Sequence, residues 1–178
     1  TMVDYFHHLA EQSNWVTYEQ YGTTNERRPL TYAVISTPEN LAKIESIKAQ
    51  NLKQAGIKAG GGASDVAIVW LSYNVHGNEA SSMEAAMQTA YELITSHQDW
   101  LQNTVVVMDP CVNPDGRDRY ANWYNQVRAR PYNSSQVADE HNEPWPGGRP
   151  NHYLFDLNRD WAWAKQVESQ QRIALYNQ

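Results

Sequence analysis

The chain has 178 residues, a length typical of one domain, and it can bury a sizeable core. Its formal net charge of −6 argues against a nucleic-acid-binding protein, because such proteins usually carry a basic patch or stripe. A single cysteine, Cys111, excludes a disulfide framework and a cysteine-rich zinc site, and it is typical of a small buried apolar side chain. No apolar run approaches the ~18 residues of a membrane-spanning helix.

The first part of the chain predicts helices and strands in alternation. A helix start is indicated by Thr37-Pro38-Glu39, since a hydroxyl caps the helix, proline fits its first position and an acid suits its positive end. This helix is predicted to continue to about Gln54 and to end at Gly56. The other elements predicted here are a helix over 4–12, strands over 16–21 and 30–36, a turn over 25–29 and a glycine-rich loop over 60–64.

The second part begins with a nearly continuous apolar run, VAIVWLSY over 66–73, which is typical of a strand buried on both faces of a sheet. Ser81 and Glu84 predict a capping box for a helix that ends near Ser96. The other elements predicted here are a second buried strand over 105–108 and a helix over 164–176. Such alternation indicates an α/β protein with a central sheet. Residues 109–161 lack periodicity and predict a long functional loop.

The residues with the clearest chemistry follow the apolar run, in Asn74-Val75-His76-Gly77-Asn78-Glu79. In open α/β sheets, sites form beyond the carboxyl ends of strands. His76 and Glu79 are three residues apart on the predicted turn, so both side chains can reach one cation, and imidazole and carboxylate groups are ligands that suit zinc. A loop histidine bonded to a neighbour is the alternative interpretation of this pair taken alone.

Two further motifs follow in the same order as in a known family. They are Asn113-Pro114-Asp115-Gly116, after the next predicted strand, and Asp156-Leu157-Asn158-Arg159. With His76-Gly77-Asn78-Glu79, they resemble the M14 family of zinc carboxypeptidases over residues 66–161. The segment 143–153, EPWPGGRPNHY, is similar to a bacterial branch of large members. The resemblance implies a mixed central sheet with helices on both faces, of which residues 1–178 are the N-terminal portion of one catalytic domain.

The resemblance also implies roles for individual residues. His76 and Glu79 are implied as the first two ligands of a catalytic Zn²⁺. Asn158 and Arg159 are implied to bind the free C-terminal carboxylate of a peptide substrate, for which the planar fork of arginine is well suited. Arg128 is the nearest match, by its distance from Asn113, to an arginine that stabilises the oxyanion. Three neighbouring arginines compete with it: Arg117, Arg119 and Arg130.

The family's third zinc ligand is a histidine that follows the Asn-Arg pair, and its general base is a glutamate further on. No histidine follows His152, and both His141 and His152 precede Asn158, the wrong order for the family. Catalytic zinc normally has three protein ligands and an open position for water. We therefore expect the longer protein to be a peptidase, and the 178-residue chain itself to be inactive.

Two other functions remain open at this point. One is a zinc-dependent amidohydrolase of the desuccinylase or deacylase type, which also carries His-Gly-Asn-Glu and Asp-Leu-Asn-Arg. The other is a non-catalytic peptide-binding relative that keeps only the carboxylate clamp. The resemblance favours a periplasmic or secreted location, although no signal peptide is visible. We also expect self-association near 66–73 or 105–108 through an unpaired sheet edge.

Overall fold

Six α-helices and four strands alternate along residues 1–178, all of which the computed structural model describes. The strands are β1 (Val16–Thr23), β2 (Pro29–Ile35), β3 (Ala67–Ser72) and β4 (Thr104–Asp109). The helices are α1 (Met2–Gln12), α2 (Pro38–Ala42), α3 (Ile44–Gln54), α4 (Ser82–Thr95), α5 (Pro114–Val127) and α6 (Val167–Tyr176), with 3₁₀ turns at Gln98–Asn103 and Asp139–His141. None of these helices is both long and apolar enough to cross a membrane.

The strands form one mixed sheet in the order β1-β2-β4-β3. Strands β3 and β4 are parallel, whereas β2 is antiparallel to both β1 and β4. The carboxyl ends of β3 and β4 therefore lie at the same edge as the turn between β1 and β2. The predicted mixed α/β architecture is confirmed, and this edge is where the candidate site forms.

Helices cover both faces of the sheet. On one face, α1 and α4 pack Phe6, Ala86 and Ala90 against Ala33 of β2 and Met108 of β4, and all five side chains are fully buried. On the other face, α3 and α6 enclose a largely apolar cavity of about 640 Å³. Apolar residues that line this cavity include Ile44, Leu52, Val34, Val107 and Leu175.

Two predictions about helix ends are wrong in part. Thr37 does cap α2, because its hydroxyl accepts from the Asn40 N–H at 3.1 Å. The predicted continuous helix is nevertheless broken at Lys43, whose N–H turns to the carbonyl of Asn40, so that α3 starts afresh. The predicted Ser81–Glu84 capping box is absent because Ser81 already has helical dihedral angles, and its side chain accepts no capping bond.

The apolar strand β3 is an edge strand and is not buried on both faces, so that prediction is also wrong. It pairs only with β4, and none of its side chains is fully buried. Val69 keeps 40% of its surface exposed. Strand β4, the second predicted buried strand, lies between β2 and β3 and buries four of its six residues. Apolarity alone therefore did not distinguish a central strand from an edge strand.

The segment predicted as one long loop over 109–161 contains the helix α5, so the prediction of a structureless segment is wrong. Its start has two ordinary signals: the Asn113 side chain accepts from the Gly116 N–H at 2.9 Å, and Pro114 occupies the first helical position. Only Asp115 and Gly116 of this helix are buried. Most of α5 therefore lacks the apolar stripe on which sequence reasoning depends.

Candidate metal and substrate site

The turn after β3 is shaped by Asn74. Its φ of +52° is a left-handed conformation that asparagine tolerates better than most residues. From there its side-chain amide donates to the carbonyl oxygens of His76, at 3.0 Å, and Glu79, at 3.2 Å. This turn brings His76 Nδ1 within 2.8 Å of Glu79 Oε1. The two side chains proposed as metal ligands thus converge at the carboxyl end of β3.

The other ring nitrogen of His76 contacts Asp156, which lies in the Asp-Leu-Asn-Arg motif 80 residues further along the chain. His76 Nε2 is 3.1 Å from Asp156 Oδ1, and the same oxygen accepts the Asn158 N–H at 2.9 Å. Arg149 donates to Asp156 Oδ2 at 2.9 Å. Burial alone raises the pKa of Asp156, but the bonds from Arg149, Asn158 and His76 together hold it below the usual range. The carboxylate is therefore ionised and can accept a hydrogen bond from a protonated His76 Nε2.

This arrangement fits a zinc ion by its donor chemistry. If Nε2 carries the ring proton and donates to Asp156, the lone pair of His76 would be on Nδ1, the atom that faces Glu79, and would be free to bind a metal ion. Nitrogen and carboxylate oxygen at that spacing are within reach of one ion bound at about 2.0–2.2 Å from each. No group of three His, Cys, Asp or Glu side chains is positioned to hold a metal.

The two remaining histidine candidates have other partners. His141 Nε2 lies 2.7 Å from the carbonyl oxygen of Asn133, and His152 Nδ1 lies 2.9 Å from Glu26 Oε1. Neither forms a contact with His76 or Glu79. The chain thus brings two of the expected ligands together and offers no third from within its residues.

The motif at the start of α5 is joined directly to the turn that carries His76 and Glu79. The Asn113 N–H donates to the Asn74 carbonyl oxygen at 3.1 Å. A Cβ placed on Gly77 would lie within 3.0 Å of Arg117 N, Gly116 C and the Gly148 carbonyl oxygen. The main chain at Gly77 therefore packs directly against the main chain of the α5 start and of Gly148, and glycine is required because no side chain fits between them.

Cys111 lies beneath this junction. Its thiol is buried and donates to Asn74 Oδ1 at 3.2 Å, and burial raises its pKa well above the ordinary value. A protonated, inaccessible thiol is a packing group, as the sequence predicted.

The segment 143–150 closes the site from the other side. Glu143 accepts from the Asn78 side-chain amide at 2.8 Å and also from the Gly148 N–H. Arg149, two hydrogen bonds away from His76, orders Asp156. Sequence reasoning missed both Arg149 and Asp156, although Asp156 is the first residue of a motif that it did single out.

The proposed clamp residues follow Asp156 immediately. The main-chain N–H of Asn158 is bonded to Asp156 Oδ1, and that of Arg159 to the Asp156 carbonyl oxygen at 2.9 Å. Both side chains are exposed, and the Arg159 guanidinium forms no hydrogen bond or ion pair within the chain. The segment proposed as the clamp is thus connected to His76 through the Asp156 carboxylate, and the unpaired Arg159 guanidinium lies on the same segment.

The four arginines considered for the oxyanion role differ in their surroundings. Arg128 is the C-terminal cap of α5, and its side chain is exposed. Arg119 donates to the carbonyl oxygens of Gly147, Pro150 and Asn151, a structural role. Arg117 lines a cavity of about 660 Å³ that also includes Ala80 and Ser81, directly after Glu79. Arg130 is exposed. None of the four contacts His76 or Glu79.

The fold is shared with solved carboxypeptidase structures. A putative carboxypeptidase from Burkholderia mallei ATCC 23344 matches with a TM-score of 0.58 and 17% identity, over 96% of this chain and 34% of its own. Carboxypeptidase A from Helicoverpa armigera matches with a TM-score of 0.57 and 16% identity, over 97% of this chain and 40% of its own. A putative carboxypeptidase A from Shewanella denitrificans OS-217 matches with a TM-score of 0.56 and 14% identity, over 97% of this chain and 34% of its own. The chain therefore spans about a third to two fifths of their length.

Fold and site together define an α/β protein of the metallo-carboxypeptidase fold. The family model for zinc carboxypeptidases, peptidase M14, matches residues 2–175, which is nearly the whole sequence. The chain belongs to this family, as the three motifs indicated. No curated protein matches the sequence.

Proposed function

We propose that this chain supplies the first two metal ligands and the substrate clamp of a zinc carboxypeptidase that removes C-terminal residues from peptides. The observation that carries the proposal is the convergence of His76 Nδ1 and Glu79 Oε1 at 2.8 Å, with Asp156 bonded to the far side of the imidazole. The match of chain to family supports a hydrolase, and the partial coverage of related structures supports a larger catalytic domain around residues 1–178.

His76 and Glu79 would hold the zinc ion in this proposal. When bound, zinc lowers the pKa of a coordinated water to about neutrality, which makes it a nucleophile. Asp156 would fix the imidazole tautomer and ring orientation, because its carboxylate accepts the Nε2 proton and is itself held by Arg149. The chain thus contributes both the direct ligands and the groups that orient one of them.

Asn158 and Arg159 would bind the carboxylate of the terminal residue. The free guanidinium of Arg159 matches a carboxylate in a bidentate manner, and the Asn158 amide adds a donor. Because the main chain of Asn158 shares Asp156 with His76, the terminal carboxylate would be held at a fixed distance from the metal. This spacing would select the last peptide bond for hydrolysis.

We predict that Arg159→Ala in the longer protein selectively weakens cleavage of substrates with a free C-terminal carboxylate. Removing one partner of a desolvated charge pair costs about 2–5 kcal/mol, so kcat/KM for such peptides should fall by roughly a hundredfold. C-terminally amidated peptides should lose much less. The measurement is kcat/KM for matched peptide pairs, with the exposed Arg27→Ala as the control. Equal losses on both substrates would remove the clamp from the proposal.

We predict that the 178-residue chain by itself binds zinc weakly or not at all and has no peptidase activity. His76 and Glu79 leave the ion only half coordinated, and no third ligand lies nearby. Calorimetric titration with zinc chloride and a peptide-hydrolysis assay on the metal-loaded chain check this. Tight stoichiometric binding with turnover would contradict it and would point to His141 or His152. His76→Ala is the matched variant for any binding that is seen.

Arg128 is our proposed oxyanion-stabilising residue, from its spacing after Asn113. Arg117 is the second candidate, because it lines the cavity next to Ser81 and its backbone packs on Gly77. An arginine that stabilises only the transition state lowers kcat when it is removed and leaves KM largely unchanged. Comparing Arg128→Ala with Arg117→Ala in the longer protein therefore separates the two candidates.

The remaining expectations concern association and location. Self-association through the edge strand β3 stays a prediction, supported by its exposed Val69 and by pairing on one side only. A periplasmic or secreted location is likewise proposed from the family resemblance alone.

A further inference from the structure

The turn between β1 and β2 is bonded to the start of α5. Because β2 is antiparallel to β4, the turn lies at the carboxyl ends of β3 and β4. From this turn, the Thr24 hydroxyl donates to Asp115 Oδ1 at 2.8 Å and Arg28 Nη1 lies 2.9 Å from the same oxygen. Asp115 is only 1% exposed. A buried carboxylate is thus neutralised by a cation from a different part of the chain.

Arg28 forms ion pairs with two residues of α5. Its Nη2 is 2.7 Å from Asp118 Oδ2, one helical turn beyond Asp115, and its Nε donates to the same oxygen at 2.9 Å. The planar fork of arginine spans these two carboxylates in a fixed orientation, which a lysine cannot do. Arg28 therefore fixes the position and rotation of the first turn of the helix.

The first turn of α5 in turn supports the His76–Glu79 turn. Its cap, Asn113, donates to the carbonyl oxygen of Asn74, and the Asn74 amide holds the carbonyl oxygens of His76 and Glu79. Gly77 packs directly on the main chain of Gly116, with no side chain between them to absorb a shift. Any displacement of the helix start is thus transmitted to the proposed zinc ligands.

We propose that Arg28 is a positioning residue for the His76–Glu79 turn, acting through Asp115 and the start of α5. It touches neither the metal ligands nor the clamp, and it comes from a segment outside the three motifs. The inference rests on the proposed function for its relevance to catalysis. What it predicts directly is that Arg28 keeps the His76–Glu79 turn ordered, and this order can be measured without metal or peptide.

Amide hydrogen exchange on the 178-residue chain tests the proposal. The reporters are the Glu79 N–H, bonded to the His76 carbonyl oxygen, and the Asn113 N–H, with the Ser96 N–H at the end of α4 as the remote reference. In Arg28→Met, exchange at the two reporters should become about tenfold faster, while Ser96 stays unchanged. Arg28→Lys keeps the charge without the fork and should give an intermediate effect. Arg27→Met changes an exposed neighbour and should match the wild type.

The outcomes separate positioning from general stability. Equal acceleration at Glu79 and Ser96 would mean that Arg28 only stabilises the fold, and would overturn the inference. Unchanged exchange at Glu79 in Arg28→Met would also overturn it. If Arg28→Met does not fold, exchange at the two reporters is compared between Arg28→Lys and Arg27→Met. Exchange in Arg28→Lys as slow as in the wild type would then overturn the proposal. In the longer protein, Arg28→Lys should lower zinc affinity by roughly tenfold. Failure of the Arg159 experiment would remove the clamp from the proposed function and leave the exchange result intact.

Discussion

Replacing Gly77 with alanine is expected to destabilise the fold by about 3 kcal/mol, because the new Cβ has no room. It would meet the main-chain atoms of Arg117, Gly116 and Gly148 at separations that real Cβ atoms do not show. Main chain cannot rotate away as a flexible side chain can, so at least one of three segments must move. The turn that carries His76 should therefore be displaced together with the loss of stability.

Urea unfolding followed by circular dichroism measures this effect. Gly61→Ala is the matched control, since a Cβ at Gly61 would meet no atom within 4 Å. The control should stay within about 0.5 kcal/mol of the wild type. If Gly77→Ala behaved like the control, the direct packing of the His76–Glu79 turn on α5 would be contradicted.

Asp109→Asn is expected to remove a large pH dependence of stability. Asp109, at the end of β4, is fully buried; this burial raises its pKa from 3.8 to about 7, even though Arg172 and the Tyr21 hydroxyl favour the charged form. Tyr21 donates to its Oδ2 at 3.0 Å, while Oδ1 has no partner. Between these two pKa values the folded chain holds a proton that the unfolded chain has released.

The sign follows from this difference in bound protons. The stability contributed by protonated Asp109 is fully present below about pH 4 and is lost as the pH rises through about 7. The free energy of unfolding of the wild type, relative to Asp109→Asn, should fall by up to roughly 4 kcal/mol over that range. Urea unfolding at several pH values measures it.

Asp139→Asn serves as the control for Asp109→Asn, because Asp139 is exposed and its carboxylate has no partner. Its stability should follow the wild type across the whole pH range. A difference between wild type and Asp109→Asn that does not change with pH would show that Asp109 is charged in the folded chain, held by Arg172.

Local signals allowed much of the fold to be predicted from the sequence. Thr37 and the strand β4 were recognised because capping and continuous burial leave marks within a few residues. Helix α5 was missed because its buried residues, Asp115 and Gly116, are polar or small, and the asparagine-proline start was assigned to a loop. The exposure of β3 was missed because pairing partners are a property of the sheet, not of the strand.

The candidate site divides in the same way. His76 and Glu79 are close in sequence, so their convergence was expected from spacing alone. The contact between His76 and Asp156 joins residues 80 positions apart, and the Arg28–Asp115 pair joins residues 87 positions apart. No local pattern encodes such pairs. The Asp-Leu-Asn-Arg motif was a signal for Asp156, whereas Arg28 has none in the sequence.

The meeting of Gly77, Gly116 and Gly148 has a consequence for how relatives of this chain diverge. Side chains in contact can change together, since a larger residue on one side is balanced by a smaller one on the other. Main-chain atoms cannot shrink, and a Cβ on Gly116 would also meet the carbonyl oxygen of Gly148. No second substitution within the trio can therefore repair the first. Asn78 and Glu143 differ in this respect, because they touch through their side chains, and a change in the size of one can be balanced by a change in the other.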